Sequence, residues 1–120
     1  MSKNWEFRIT QQEARSRRLI LEGYASPPYE RPYYDELFFY AVIGPGFLSL
    51  EVSRDFDGER LLEYLFSRLG EPTEPTRTQV GGREDEEEGA LLLTEWHFPP
   101  EQRGSMIQRL AAILGHPLPA

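Results

Sequence analysis

Two residues of this chain, Glu95 and His97, have the types and the spacing that acid–base or metal chemistry requires. They lie two positions apart in the apolar segment ALLLTEWHF (residues 90–98), and alternate residues of a β-strand point to the same side. A carboxylate in that position could orient the imidazole or share a metal ion with it. One hypothesis is therefore a small enzyme or ligand-binding domain that uses Glu95 and His97.

Other catalytic patterns are missing from the sequence. The chain has no cysteine, which excludes thiolate catalysis, disulfides and zinc sites built on cysteine. His116 lies in the final residues, HPLPA, where capping of a helix end is the expected role. No phosphate-binding loop or nucleophile motif is present. We therefore predict no metal and no cofactor, and interpret Glu95 and His97 as the solvated face of a strand in a non-enzymatic protein.

Two other stretches are more typical of protein binding. A run of five acidic residues should stay extended and solvated, and it could also attract a basic surface over long range. The segment YERPYYD is rich in tyrosine, which is frequent among the residues that dominate binding energy at interfaces, although these tyrosines could instead cover a sheet edge. The predicted partner-binding residues are Tyr29, Tyr33, Tyr34, Asp35, Glu84, Asp85, Glu86, Glu87 and Glu88.

The elements that must position these residues are arranged around a predicted β-hairpin at residues 37–53. Its first arm, LFFYAVI, is continuously apolar, as expected of a central strand, and its second arm, FLSLEVS, alternates between apolar and polar residues. Leucines at helical spacing predict a helix over residues 58–69. A strand at residues 90–98 follows, and then a helix between Pro100 and Gly115.

The N-terminal third allows two interpretations. Residues 5–9 alternate and predict a short strand. Thr10 and Glu13 then have the spacing of a capping box, which predicts a helix over residues 11–22. The alternative is a strand at residues 18–24, because the apolar triplet in RLILEGY has no helical period.

The remaining stretches are polar and complete the predicted fold. Residues 71–89 show no periodicity and predict a long, acidic, flexible loop, and residues 116–120 predict a loose tail. We expect residues 1–120 to form a single α+β domain. Its architecture would be a two-layer sandwich, in which an antiparallel or mixed β-sheet carries two to three helices on one face.

Composition and charge limit the classes of partner. The chain has 20 acidic and 13 basic residues and a net charge of −7, which disfavours nucleic-acid binding and favours a basic protein partner. The longest apolar run, residues 37–43, is far shorter than the roughly 20 residues that span a bilayer. The first residues lack the apolar core of a signal peptide. We expect a cytoplasmic protein without membrane association.

The size, the acidity and the order of elements over residues 37–114 broadly resemble two bacterial groups. One comprises the cytoplasmic immunity proteins, which neutralise secreted toxins. This resemblance implies an inhibitor that occludes a basic toxin or effector, which is our leading hypothesis. The other comprises the small acidic chaperones of type III secretion effectors. That resemblance implies an acidic homodimer, in which an exposed apolar strand or helix face pairs two copies.

Overall fold

The computed structural model describes residues 4–29, 36–53, 56–80 and 90–119. In those ranges the strands form one antiparallel sheet with the order β1-β2-β3-β4-β6-β5. A 3-10 turn, Pro100–Gln102, leads into the second of the two α-helices in the described ranges. The elements are β1 (Glu6–Arg15), β2 (Arg18–Ser26), β3 (Leu37–Ile43), β4 (Phe47–Ser53), α1 (Phe56–Leu69), β5 (Glu74–Val80), β6 (Ala90–His97) and α2 (Arg103–Leu114).

The predicted central hairpin is present, and the predicted α+β class is confirmed. β3 and β4 pair through Ile43 and Leu48 and occupy the middle of the sheet. The turn between them is closed by a hydrogen bond of 2.9 Å from the Gly44 N–H to the Phe47 carbonyl oxygen. Alternate residues of β3 are fully buried and the others are half-buried, which explains why the first arm is continuously apolar.

The predicted helix over residues 11–22 is wrong, because this stretch forms the hairpin of β1 and β2. In β2, Leu19 and Leu21 are 2% and 0% exposed, and Ile20 between them points to the other side of the sheet. This burial of alternate residues stabilises a strand and could not occur along one face of a helix. Thr10 donates its hydroxyl to the Glu22 carbonyl oxygen at 3.2 Å and does not cap a helix.

The prediction of one loop over residues 71–89 is also wrong in its first part, because Glu74–Val80 forms β5 beside β6. Threonine side chains attach this polar strand. The Thr73 hydroxyl accepts the His97 N–H at 2.8 Å, and the hydroxyls of Thr76 and buried Thr94 lie 2.9 Å apart. Residues 81–89 lie outside the described residues.

Both helices contribute to one hydrophobic core with a single face of the sheet. α1 and α2 are confirmed close to their predicted bounds, and Gly115 ends α2 with a φ of +64°, which suits glycine. Neither described helix is long and apolar enough to cross a membrane. The buried core residues from the helices are Leu61, Leu62, Leu65, Leu69, Met106, Ile107, Leu110 and Leu114, and those from β2, β3, β4 and β6 are Leu19, Leu21, Ala25, Leu37, Phe39, Ala41, Ile43, Leu48, Leu50, Val52, Leu92, Thr94 and Trp96.

Candidate binding surface

The residues that alternate with the core residues form the other side of the sheet, which we call the second face. The buried leucine, isoleucine and methionine side chains of α1 and α2 belong to the core on the first face. The second face is half-buried along its four inner strands, and it combines aromatic, aliphatic and acidic side chains. Its half-buried residues include Ile20, Glu22, Tyr24, Phe38, Tyr40, Val42, Phe47, Ser49, Glu51, Leu91, Leu93 and Glu95.

Strand register places Tyr40 between two carboxylates at the centre of the second face. Tyr40 pairs with Glu22 on β2 and with Glu51 on β4. Glu51 in turn pairs with Leu93 on β6. Because paired residues have Cβ atoms about 4.5–5.5 Å apart, these side chains form one continuous row across the sheet. The row combines an aromatic ring, an aliphatic group and two acids on four neighbouring strands.

Glu51 is the residue of this row whose pKa is shifted by its surroundings. Burial raises the pKa of the Glu51 carboxyl above its usual range, since neighbouring side chains displace the water that stabilises the charged form. No basic side chain of the described residues forms an ion pair with it. A cation supplied from outside would therefore stabilise the ionised carboxylate.

An aromatic pair and an ion pair border the row on the side of β1. The rings of Tyr24 and Phe38 pack edge to face with centroids 5.9 Å apart, and the Arg8 guanidinium lies 5.0 Å from the Tyr24 centroid. Arg8 also pairs with Glu36 at 2.7 Å, and its hydrogen bond lowers the pKa of the Glu36 carboxyl. At this border the charges of Arg8 and Glu36 therefore compensate each other.

Glu95 and His97 lie at the opposite border of the second face, where strand alternation predicts that they share a side. His97 Nε2 lies 3.1 Å from Glu95 Oε2, and Arg77 Nη2 lies 3.4 Å from Glu95 Oε1. In the described ranges no group of three or more histidine or acidic side chains could hold a metal ion. Arg77 neutralises Glu95, so the arrangement orients the His97 imidazole within a solvated ion-pair network.

Of the predicted partner-binding residues, Tyr29 is the one within the described ranges. Its ring packs edge to face on Trp5 with centroids 6.1 Å apart, and its hydroxyl donates to a carboxylate oxygen of Asp57 in α1. Tyr29 is 39% exposed, and these contacts connect the end of β2 to the helix side of the sheet. Tyr33, Tyr34, Asp35, Glu84, Asp85, Glu86, Glu87 and Glu88 lie outside the described residues.

Sequence reasoning did not select Tyr40, Glu51 or Glu22 as site residues. The available signal was the alternation of FLSLEVS, which places Glu51 opposite the apolar side of β4. The register that sets Glu51 beside Tyr40 depends on pairing between strands and is not visible in either segment alone.

Comparison of the chain with protein-family models, curated proteins and solved structures finds no match.

Proposed function

We propose that this chain is a non-catalytic binding protein that docks a basic protein partner on the second face of its sheet. In this arrangement the sheet and the two helices form two layers, and the helices cover the first face alone. The observation that carries the proposal is the row in which Glu22 and Glu51 flank Tyr40 on a face that no described helix covers.

The apolar part of the second face supplies the contact area for this partner. Tyr24, Phe38 and Tyr40 are half-buried and held in place by strand pairing. Rigid aromatic side chains lose little conformational entropy on binding, which is why they dominate the energetics of many interfaces. The leucines of β6 extend this apolar area toward the opposite border.

The acidic part of the row selects the charge of the partner. A lysine or arginine placed over the Tyr40 ring would gain a cation–π contact and would also meet Glu22 or Glu51. The net charge of −7 adds long-range attraction for a basic surface and speeds association at low salt. Occlusion of a basic active-site surface, as an immunity-type inhibitor performs it, requires no catalytic residue on this chain.

A second copy of this chain fits the same face less well. Two copies would each carry a net charge of −7, and face-to-face packing would bring two sets of Glu22 and Glu51 together. Like charges in a desolvated interface are unfavourable. We therefore do not expect a homodimer, and the experiment below distinguishes a homodimer from binding of a basic protein.

The test compares capture of proteins from lysate of the source organism by wild type, Glu51→Gln and Tyr40→Ala. Glu63→Gln is the matched control, because Glu63 is an exposed acid on α1 and its change removes the same charge. We expect wild type and Glu63→Gln to capture the same basic protein in equal amounts. When the captured protein is purified, Glu51→Gln and Tyr40→Ala should each bind it more than about tenfold more weakly than wild type does.

Three results would contradict the proposal. Equal affinity of Glu51→Gln and Glu63→Gln for the captured protein would place its binding elsewhere. Light scattering that shows a stable dimer, disrupted by Tyr40→Ala, would assign the second face to self-association. Thermal melting must first show that all variants are folded. If wild type and Glu63→Gln then capture no protein at low salt that the other two variants fail to capture, binding of a basic protein by this face would be refuted.

A further inference from the structure

Four arginines surround an open pocket of about 420 Å³ at one end of the sheet. The turn between β1 and β2 approaches the turn between β3 and β4 there, next to the start of α2. The arginines are Arg15, Arg17, Arg18 and Arg103, and Pro45 forms part of the wall. This concentration of positive charge is unexpected on a chain whose net charge is −7.

Arg103 connects the two turns without meeting a carboxylate. Its Nε donates to the Gly44 carbonyl oxygen at 3.2 Å, and its Nη2 donates to the Arg17 carbonyl oxygen at 3.4 Å. Both acceptors are neutral, so the positive charge stays uncompensated while the guanidinium is held in place. An arginine fixed in this way is pre-organised for an anion.

The other arginines differ in how far their charge is matched. Arg15 forms an ion pair of 2.5 Å with Glu13. The Arg18 guanidinium lies 5.7 Å from the centroid of the Phe47 ring, a contact that leaves its charge in place. In the described part of the chain no carboxylate pairs with Arg17, Arg18 or Arg103.

We propose that this pocket binds a small molecule that carries more than one phosphate group. Guanidinium groups bind phosphate oxygens in pairs of parallel hydrogen bonds, and several converging arginines suit an anion with several charges. The volume lies within the range of about 300–1,000 Å³ found for small-molecule sites. The net charge of −7 disfavours an extended nucleic acid as the source of those phosphates. This site does not depend on partner binding by the second face.

Isothermal titration with inorganic pyrophosphate tests the pocket directly, with inorganic phosphate and citrate as comparison anions. We expect saturable binding of pyrophosphate that is tighter than binding of phosphate or citrate. Arg18→Gln and Arg103→Gln should each weaken it by about tenfold or more, because each removes charge-assisted hydrogen bonds. Arg77→Gln is the matched control, since it removes the same charge on β5 at the far edge of the sheet. It should change the affinity by less than about twofold.

Each remaining outcome would overturn the proposal. Absence of saturable pyrophosphate binding up to about 10 mM would mean that the arginines do not form a site. Equal weakening by Arg77→Gln and Arg18→Gln would show non-specific attraction to charge. Citrate that binds as tightly as pyrophosphate would identify a carboxylate site in place of a phosphate site. Arg18→Gln should disturb the fold less than Arg103→Gln, because Arg18, unlike Arg103, donates no side-chain hydrogen bond to either turn.

Discussion

Replacement of Arg17 by glycine should stabilise this protein while removing one wall of its arginine pocket. Ser16 and Arg17 have φ angles of +52° and +64°, and neither is glycine. Two consecutive residues at positive φ between paired Arg15 and Arg18 correspond to a type I′ turn, in which glycine is strongly favoured. A side chain in the left-handed region costs about 1–2 kcal/mol, and the greater freedom of glycine in the unfolded chain offsets roughly 0.5–1 kcal/mol of that.

The difference between these two ranges spans about 0–1.5 kcal/mol, and we expect a net gain near its middle, about 0.5–1 kcal/mol in the free energy of unfolding. For a chain of this length that corresponds to a rise of roughly 2–5 °C in Tm. Thermal and urea unfolding of wild type, Arg17→Gly and Arg17→Ala would measure it. Alanine removes the same guanidinium but keeps a Cβ, so Arg17→Ala should stay within about 0.5 kcal/mol of wild type.

The comparison of the two variants separates the effect of the backbone conformation on stability from the effect of the Arg17 side chain on binding. Both should bind pyrophosphate more weakly than wild type, because both lack the Arg17 guanidinium at the pocket. Arg17→Gly alone should melt at a higher temperature. Equal stability of Arg17→Gly and Arg17→Ala would refute the reasoning, since it would show that the free-energy cost of the positive φ does not exceed the entropic cost of glycine.

Three further predictions concern the core and the second face. Leu65→Ala should lower the free energy of unfolding by about 2–5 kcal/mol in urea melts, because Leu65 is 3% exposed between α1 and the sheet. Gly23→Ala should lower Tm, at a cost of about 1–3 kcal/mol or more, because a Cβ there would lie 2.3 Å from the Arg8 carbonyl oxygen. The raised pKa of Glu51 means that its protonated form stabilises the fold at pH values below the unfolded pKa of 4.5, and that this stabilisation is lost as pH rises through the folded pKa. Glu51→Gln should therefore raise Tm relative to wild type at pH 7 and leave it unchanged near pH 3, and the opposite pattern would contradict the burial argument.

The elements that could be predicted from sequence are those whose own residues carry the periodic pattern. β3, β4, α1, β6 and α2 each contain enough apolar residues at the spacing of their structure to be identified without their neighbours. The prediction of a helix over residues 11–22 was wrong because it relied on a local pattern and not on the periodicity of the segment. Thr10 and Glu13 fit a local capping pattern, but the burial of alternate β2 residues against the core determined the structure.

Features that depend on pairing between distant segments were not visible in the sequence. β5 is polar, and it is held by threonine contacts to β6 that a scan for apolar periodicity does not detect. The row around Tyr40 and Glu51 arises from the register of four strands. The pocket arginines also come from separate parts of the chain, since Arg103 reaches the turns from the start of α2.

The two outer strands of the sheet limit how this protein can associate. Among the described strands, β1 and β5 each pair on one side only, and another strand could add to the other side and propagate into aggregates. β1 is interrupted by a register shift between Ile9 and Gln11 and continues with exposed polar residues, and β5 carries the charges of Glu74 and Arg77. Charges and irregularities of this kind discourage edge-to-edge pairing. Binding through the proposed interface on the second face would therefore use side chains, and it would not require backbone pairing at the edges of the sheet.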